Sequence, residues 1–466
     1  MCVTRTLTEP GDIWLSPGQR EIDALALALL DHPEVRAARA RTVERFEASP
    51  EFAVADAPAW MDASVDDLLF SCLQFAAIDD PSRPKVLWTL RRGYTVGGRE
   101  FPGSHYGADN PDRVYRMIGV SAAHRYRITG RRHPTHPSED DLGFEAIPPP
   151  GLWGQPLVRL PREKIDIAAD GSFEVIADGT EAGTRRNHLY LPPESKVVVV
   201  RDTLLDWAAQ VPNEVSVELL DGPAAPERTH DEIARDGVRI YEQCVAFALG
   251  FMDNCLRAGP ANQLLAFERP VKWGVAGGLF AVNRFELAED EALVITLDPL
   301  TAQYLAINAC DPWTRALPYD TGLASMNNVQ AQPNTDGSYT FVLSPADPEV
   351  HNWIDTAGLR TGSVVARWEL MTQRPPTSDT GRDDSKAWTL GRTVVDAAVR
   401  ESRVLPVSEV AAAVPEGQSR VSPEQRARLV EARLADHQVR VTGIPTSSAR
   451  LADTKCATRR QTGDQP

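Results

Sequence analysis

Cysteine is scarce in this chain, and the cysteines form no metal or redox motif. Six of them are spread over 466 residues without a CxxC pair, which excludes a disulfide scaffold and a zinc ribbon. No apolar run approaches the roughly 18 residues that a membrane span needs. Basic residues are outnumbered, 49 to 65, for a formal charge of −16. This balance argues against binding to nucleic acid or to anionic membranes, since both depend on basic surface.

The common catalytic signatures are absent as well. The sequence has no GxSxG nucleophile elbow, no GxxxxGK[ST] phosphate loop and no HExxH zinc motif. The paired glycines Gly97–Gly98 and Gly277–Gly278 lie between strand-like runs rather than before helices, so a dinucleotide site is unsupported. We therefore predict no cofactor under the hypothesis that the sequence favours most. The N-terminal segment lacks the features of a signal peptide, which favours a cytoplasmic protein.

Apolar residues at helical spacing predict several helices, most of them near the N-terminus. Pro33 interrupts the first helical pattern and predicts two helices or one kinked helix, while Asp62 or Ser64 is placed to cap another. A long central helix should begin at Thr229–Glu232, which has capping-box spacing. A late helix should begin at Ser422–Pro423, with serine as N-cap and proline at the first position.

Between these helices, short β-rich runs separated by Gly, Pro, Asn and Asp predict antiparallel sheets of the sandwich or jelly-roll type. The fold class is therefore α+β. We predict five regions: a helical N-terminal region (1–85), a β-rich domain (86–225), the central helix (226–260), a β-sandwich domain (261–372), and a polar loop, helix and disordered tail (373–466).

Four segments combine Asn, Asp, Trp and Tyr at the ends of predicted strands. A mostly apolar pocket with a few polar anchors requires these residue types. Asn and Asp also satisfy the backbone of turns, and a tryptophan also closes the end of a sandwich, so a purely structural role is the alternative. The segments are His105–Arg116, Asp202–Trp207, Cys310–Trp313 with Ser325–Asn328, and Asp347–Gly358.

Asp66 and Asp67 lie side by side on an apolar helix and suggest a different chemistry. Adjacent aspartates of this kind hold magnesium over a diphosphate in class I terpene synthases, although those enzymes usually have an acidic residue where Phe70 stands. A lone carboxylate pair binds magnesium weakly unless substrate phosphates complete the coordination shell. The alternative is a pair of charges near a helix N-terminus that complement the helix dipole.

Three of these motifs carry a family resemblance. The runs GADNPDRVYR (Gly107–Arg116), VVVRDTLLDW (Val198–Trp207) and HNWIDTAG (His351–Gly358) resemble bacterial proteins that carry the domain of unknown function numbered 1214. The resemblance spans residues 80–371 in order, and it implies a β-sandwich that carries the C-terminal motif. It implies no reaction. Leu204 and Leu205 depart from it, since aromatic residues are more usual there.

We predict an enzyme that acts on a hydrophobic small molecule, such as a steroid, terpenoid or other lipid-like compound. Acid–base chemistry without a redox cofactor corresponds to a lyase, isomerase, cyclase or hydrolase. Asp112 or Asp355 would be the general acid or base, with pKa raised by an apolar cavity, and His351 is the alternative proton carrier. The predicted substrate-binding residues are Asn110, Tyr115, Asn328 and Asn352 as polar contacts, and Trp207, Trp313 and Trp353 as walls.

Two alternatives follow from the same residues. One is a magnesium-dependent isoprenoid diphosphate enzyme in which Asp66 and Asp67 bind the metal. The other is a non-catalytic protein that binds a lipid-like ligand, with the Asp and His residues acting as turn and capping residues. The predicted partner is in each case a small molecule rather than a nucleic acid or a membrane, and the sequence makes no prediction of oligomeric state.

Overall fold

The computed structural model describes residues 5–6, 15–148, 156–257, 259–266, 278–371 and 393–443, and it confirms the α+β class. Within these residues no helix is long and apolar enough to cross a membrane. The predicted disordered tail and most of the predicted polar loop lie outside the described residues.

Three helices precede the sheets: α1 (Pro17–Leu29), α2 (Pro33–Glu47) and α3 (Ala57–Ile78), with a short 3-10 turn at Pro50–Ala53. The predicted break at Pro33 is confirmed, because the proline begins α2 at the position where a missing N–H costs nothing. Helix α3 begins after Asp56, six residues before Asp62 and eight before Ser64, so neither of these residues caps it. The helix is buried over most of its length and packs on α1, α2 and the central helix.

The first β-sandwich has two facing sheets and a small third sheet beside them. The five-stranded sheet has the order β2-β5-β11-β7-β8, and the four-stranded sheet has the order β10-β9-β6-β12. A core that includes Ile118, Tyr126 and Val198 lies between the two sheets. The third sheet has the order β1-β3-β4. The strands are β1 (Arg5–Thr6), β2 (Val86–Thr89), β3 (Tyr94–Val96), β4 (Arg99–Phe101), β5 (Arg113–Gly119), β6 (Arg125–Arg131), β7 (Gly143–Ile147), β8 (Val158–Leu160), β9 (Ser172–Asp178), β10 (His188–Tyr190), β11 (Val197–Thr203) and β12 (Glu214–Asp221).

The second β-sandwich follows the central helix. Its sheets have the orders β13-β14-β20-β16-β17 and β19-β18-β15-β21, and a core that includes Ile295, Ile307 and Trp368 lies between them. Strand β16 pairs antiparallel with β20 along nearly its whole length, from Ala302–Met371 to Cys310–Ser363. The strands are β13 (Leu265–Ala266), β14 (Leu279–Glu286), β15 (Glu291–Leu297), β16 (Ala302–Cys310), β17 (Ser325–Asn327), β18 (Tyr339–Ser344), β19 (Trp353–Asp355), β20 (Thr361–Met371) and β21 (Val399–Pro406).

The central helix α4 (His230–Phe251) has the predicted capping box, in which Thr229 and Glu232 each accept from the other's backbone. It packs against α2 and α3 and continues as a π-helical turn to Leu256. A large apolar core joins these helices to one face of the first sandwich and to residues of the second, among them Val282 and Trp313. The helical layer therefore lies against both sandwiches.

Two helices follow β21: α5 (Val407–Ala413) and α6 (Pro423–Thr442). Helix α6 begins as predicted, with Ser422 as N-cap and Pro423 in the first turn. One face of α6 carries four buried basic residues: Arg426, Arg433, His437 and Arg440. The arginines hydrogen-bond to both sandwiches, to Asp347 and Ser325 in the second and to the main-chain oxygen of Arg113 in the first. Helix α6 thus ties the two sandwiches together.

Gly119 marks a close approach between α3 and β5. A Cβ atom at this position would lie 1.9 Å from the main-chain oxygen of Ile78, so one backbone would have to move. We expect Gly119→Ala to lower the free energy of unfolding by about 1–3 kcal/mol, measured by urea denaturation. Gly18→Ala is the control, because the nearest atom to its added Cβ is 4.0 Å away, and its effect should stay within about 1 kcal/mol. Equal denaturation midpoints for the two variants would contradict the close approach.

Candidate active site

A cavity of about 350 Å³ lies where α1 and α3 meet the segment that connects β2 with β5. Leu27 and Ala63 line it from the helices, and residues 92–93 and 100–103 line it from the connecting segment. His105 and Arg315 complete the wall, and we call this space the His105 cavity. Its volume falls in the range of about 300–1,000 Å³ that is typical of small-molecule sites.

His105 and Asp109 form a buried pair at this cavity. The Nδ1 atom of His105 lies 2.7 Å from Oδ2 of Asp109, and both side chains are 1% exposed. Gly107 and Ala108 between them have left-handed backbone conformations, with φ of 63° and 55°. This turn brings the carboxylate back onto the imidazole four residues away. The Nε2 atom of His105 is buried and has no hydrogen-bond partner among the described residues.

Electrostatics keep Asp109 ionised. Burial alone would raise its pKa, but the charge and hydrogen bond of His105, the N–H of Ala316 and the charge of Arg367 together hold the pKa below its ordinary value. Because an ionised carboxylate only accepts hydrogen bonds, the hydrogen between the two side chains belongs to Nδ1 of His105. In the neutral imidazole the lone pair is then on Nε2, which makes this atom a proton acceptor.

Charged side chains surround the imidazole on the cavity wall. The guanidinium of Arg315 is held by Asp311, with 3.1 Å between Nε and Oδ2, and its Nη1 lies 3.3 Å from Oδ2 of Asp67. The Nε atom of Arg92 lies 3.3 Å from Oδ1 of Asp320. These pairs fix two cations, Arg92 and Arg315, in the cavity wall beside the carboxylate of Asp67, so the cavity has the polar groups needed to orient a ligand.

The predicted metal residues Asp66 and Asp67 both line the His105 cavity. Oδ1 of Asp66 accepts from Nε of Arg39 at 2.6 Å, and Asp67 faces Arg315. Within the described residues no group of three or more His, Cys, Asp or Glu side chains is arranged to hold a metal ion. Magnesium binding therefore stays a prediction that rests on these two carboxylates and on a ligand that would bring further oxygens.

A small apolar cavity of about 20 Å³ adjoins the same residues. His105 and Arg315 line it, together with the aromatic rings of Phe46, Phe251 and Trp313. The predicted wall residue Trp313 lies here. Its ring stacks on Phe46 with 4.6 Å between ring centroids, and its Nε1 donates to the main-chain oxygen of Ala57. The imidazole thus has a charged cavity on one side and an aromatic cluster on the other.

The predicted residues Asp112, Asn110 and Trp207 come together elsewhere, in a buried network between the sandwiches. Oδ1 of Asp112 accepts from Nε1 of Trp207 and from Nδ2 of Asn327, each at 2.9 Å. The hydroxyl of Tyr304 lies 3.0 Å from Oδ2 of Asp112 and 2.9 Å from Oδ1 of Asn110. Burial raises the pKa of Asp112, although Arg433 and these three donors oppose the shift. With three donors already bound, the Asp112 carboxylate serves to join the sandwiches.

The predicted residues near β19 lie at the far side of the second sandwich and bond mainly to its backbone. Nε2 of His351 lies 3.1 Å from the main-chain oxygen of Gln330, and Asn352 bonds to the backbone of Gln332 and Thr340. Burial lowers the pKa of His351. The structure does not bring this group to the His105 cavity.

The remaining residues of this group make similar contacts. Nε1 of Trp353 lies 3.1 Å from Oγ of Ser344, and Oδ1 of Asp355 accepts from the backbone N–H of Ala357 at 2.8 Å. Burial raises the pKa of Asp355. Both contacts are local to the ends of β18 and β19.

Asn328 and Tyr115 occupy two further places. The amide of Asn328 bonds to the backbone of Leu305 and Gln303 beside β16, whereas its neighbour Asn327 belongs to the Asp112 network. Tyr115 is half-buried on β5, and the guanidinium of Arg201 lies 5.9 Å from its ring centroid. Neither residue lines the His105 cavity.

Sequence reasoning missed the residues that give the His105 cavity its chemistry. His105 and Asp109 stand in a segment that was singled out, and a histidine, a glycine and an aspartate at positions 105, 107 and 109 are the local signal of the turn that joins them. No local pattern marks Arg92 or Arg315, because these residues come from distant segments and meet at the cavity only when the chain is folded.

The comparisons with known proteins bear on the fold. No family model matches the chain, and no curated protein matches it. Its structure is similar to the crystal structure of an uncharacterized protein from Burkholderia cenocepacia, with 22% sequence identity, a TM-score of 0.63, and coverage of 84% of this chain and all of that one. The VPA0106 protein from Vibrio parahaemolyticus aligns with a TM-score of 0.39 and 9% identity, over 74% of this chain and 99% of that one.

The first of these similarities shows that the fold occurs in another bacterial protein, and it gives no information about activity. The resemblance of residues 80–371 to the domain of unknown function numbered 1214 stays a prediction, since neither comparison bears on it.

Proposed function

We propose that the chain is an enzyme that performs acid–base chemistry on a hydrophobic small molecule at the His105 cavity. The observation that carries this proposal is that His105 lines the cavity while its buried Nε2 atom has no hydrogen-bond partner among the described residues, and Asp109 holds the other ring nitrogen. A buried imidazole nitrogen without a partner is costly unless a ligand group supplies one.

In this proposal His105 Nε2 accepts a proton from a carbon or oxygen of the bound molecule, or from a water that attacks it. When the proton comes from carbon, its electron pair forms a double bond while the bond to a leaving group on the neighbouring carbon breaks, or while an existing double bond shifts by one position. When it comes from an alcohol of the substrate, the oxygen bonds to one carbon of a double bond and the other carbon takes up the proton. When it comes from water, the oxygen bonds to a substrate carbon while the bond from that carbon to the leaving group breaks, and the leaving group takes up the proton. Asp109 stabilises the imidazolium through the Nδ1–H bond, and the ring then returns the proton to the product. A net proton transfer of this kind suits a lyase, isomerase, cyclase or hydrolase and requires no oxidant.

The surroundings of the cavity support a lipid-like substrate such as a steroid or terpenoid. Leu27, Phe101 and Pro102 give it apolar wall, and the Phe46–Trp313 cluster lies directly beyond His105. Arg92 and Arg315 would orient a polar group of the same molecule.

The magnesium-dependent diphosphate alternative has one observation in its favour, because Asp66 and Asp67 line the same cavity. It predicts that turnover of an isoprenoid diphosphate stops when magnesium is chelated and when both aspartates are replaced by alanine. Turnover that continues in the presence of EDTA would contradict it.

The test of the proposed function begins with native mass spectrometry of the full chain, purified gently from its own cells, and with identification of any bound compound. That compound, or a panel of steroids, terpenoids and fatty acyl esters, is then incubated with the protein in D2O. We expect at least one compound to bind and to gain deuterium or change structure.

Ala63→Phe provides the control for the location of the site, because residue 63 lines the cavity and a phenyl ring would fill it. We expect this variant to lose both binding and conversion, whereas Ala63→Ser should keep them. A compound bound equally by both variants and never converted would overturn the proposal in favour of a binding protein. Failure of every compound to bind would overturn the lipid-like substrate.

A further inference from the structure

A second, smaller chamber lies beside the His105 cavity, against the last turns of α6. It has a volume of about 40 Å³, room for about three water molecules at about 10–15 Å³ each. Arg92 and Gly93 line both spaces. His437 and Arg440 of α6 line only the smaller one, which we call the Arg440 chamber.

Tyr319 lies between the two spaces. Its ring contacts the imidazole of His105 with 5.8 Å between centroids and that of His437 with 5.9 Å. The Arg440 chamber is therefore one aromatic ring away from the proposed proton acceptor. Since Arg92 and Gly93 line both spaces, the two spaces adjoin at these residues.

Arg440 has an N–H donor that no described residue accepts. The residue is 5% exposed, and its Nη2 donates to the main-chain oxygen of Arg113. Its Nη1 is buried, and among the described residues it has no hydrogen-bond partner. The Cζ atom of its guanidinium lies 5.5 Å from the ring centroid of Trp207 and 5.8 Å from the ring centroid of Tyr319. Burying a charged N–H group without an acceptor costs free energy, and a ligand that supplies the acceptor removes this cost.

The charges at the chamber wall leave this cation unbalanced. Arg91 is paired with Asp23 at 2.5 Å, and Arg92 is paired with Asp320. Burial alone would raise the pKa of Asp320, but Arg92, His437 and His105 hold it below its ordinary value, so this carboxylate is already an anion that serves Arg92. Three guanidinium groups and one carboxylate therefore line the chamber, and a further anion would complete it.

We infer that the Arg440 chamber binds a carboxylate group of the substrate, which accepts a hydrogen bond from Nη1 of Arg440. The volume fits a planar carboxylate, and arginine recognises this group well. The inference rests on the proposed function and refines it: the substrate is an apolar carboxylic acid whose charged group lies near α6 and whose apolar part extends past Arg92 towards His105.

The test is a binding measurement on the full chain by isothermal titration calorimetry, with octanoate, octanamide and octyl phosphate as probes. We expect octanoate to bind at least about tenfold more tightly than octanamide, as a charge-assisted hydrogen bond predicts. Arg440→Gln should remove this preference by weakening octanoate alone, and Arg440→Lys should keep part of it. Arg428→Gln is the matched control, since this arginine is on the exposed face of the same helix.

Three results would overturn the inference: no binding of octanoate to the wild-type chain at millimolar concentration, octanamide binding as tightly as octanoate, or unchanged octanoate affinity in Arg440→Gln. Tighter binding of octyl phosphate would overturn the choice of a carboxylate. The wild-type comparison of octanoate with octanamide holds even if a variant fails to fold. Binding is measured here without turnover. If the chain prefers carboxylates through Arg440 but converts no compound, the proposed function is contradicted and this inference is not.

Discussion

Replacing His105 with glutamine is expected to lower kcat for the identified substrate by about 10²–10⁴-fold, with little change in KM. The expected loss is that of a general base, which typically contributes this factor. Glutamine is close to histidine in size, but its amide has no basic nitrogen at the cavity wall. Steady-state kinetics with the compound identified by native mass spectrometry measure the effect, and circular dichroism confirms that the variant is folded.

Two further variants separate catalysis from packing. Asp109→Asn should lose a comparable factor, because an amide in place of the carboxylate can donate to Nδ1 and so favour the imidazole tautomer with its hydrogen on Nε2. The double variant should lose little more than either single variant, since the two side chains act as one unit. His351→Gln is the control, and we expect wild-type kcat from it. Full activity in folded His105→Gln would refute the role of this residue.

Replacing Asp112 with alanine is expected to lower the free energy of unfolding by about 3–5 kcal/mol. The substitution removes the acceptor of the Trp207 indole N–H and one of the two acceptors of Asn327 Nδ2 and of the Tyr304 hydroxyl, which keep Leu205 and Asn110. It also removes the anion that faces Arg433. Burial lowers the pKa of the Arg433 guanidinium to about 10, and the charge of Asp112 opposes this shift. Chemical denaturation followed by the fluorescence of the buried tryptophans measures the change.

Asp112→Asn tests whether this carboxylate has a catalytic role as well. The amide oxygen would still accept from Trp207 and Asn327, and the Tyr304 hydroxyl could turn to accept from the amide nitrogen while it donates to Asn110. We therefore expect a smaller loss of about 1–2 kcal/mol and unchanged turnover. A stable Asp112→Asn variant with kcat as low as that of His105→Gln would instead establish the general acid or base that the sequence suggested.

The predictable parts of the fold are those that depend on local chemistry. Thr229 with Glu232, and Ser422 with Pro423, satisfy helix N-termini within a few residues, so the starts of α4 and α6 could be read from the sequence. The start of α3 could not, because no side chain caps it: the carboxylate of Asp56 accepts instead from the backbone of Arg360 and Thr361 in a distant segment. The pairing of β16 with β20 joins segments separated by fifty residues or more and has no local signal.

The same distinction applies to the candidate site. Asp66, Asp67 and Trp313 were chosen for their residue type and lie at the His105 cavity or beside it. Gly107 marks the turn that joins His105 to Asp109, but the position of His105 at the cavity depends on contacts with distant segments, which have no local signal. The residues of the 351–355 segment have the composition of a site, but their polar atoms satisfy backbone groups of their own sandwich.

Nitrogen-15 NMR of the histidine side chains in the full chain tests the central claim most directly. With the His105 signals assigned by comparison with His105→Gln, we predict that the neutral form of this imidazole is the tautomer with hydrogen on Nδ1 and an unprotonated Nε2. The Nε2 resonance should also shift when a cavity ligand binds and should not shift in Ala63→Phe. A neutral ring with its hydrogen on Nε2 would contradict the proposed role of His105, because the lone pair would then face Asp109 and Nε2 could not accept a proton.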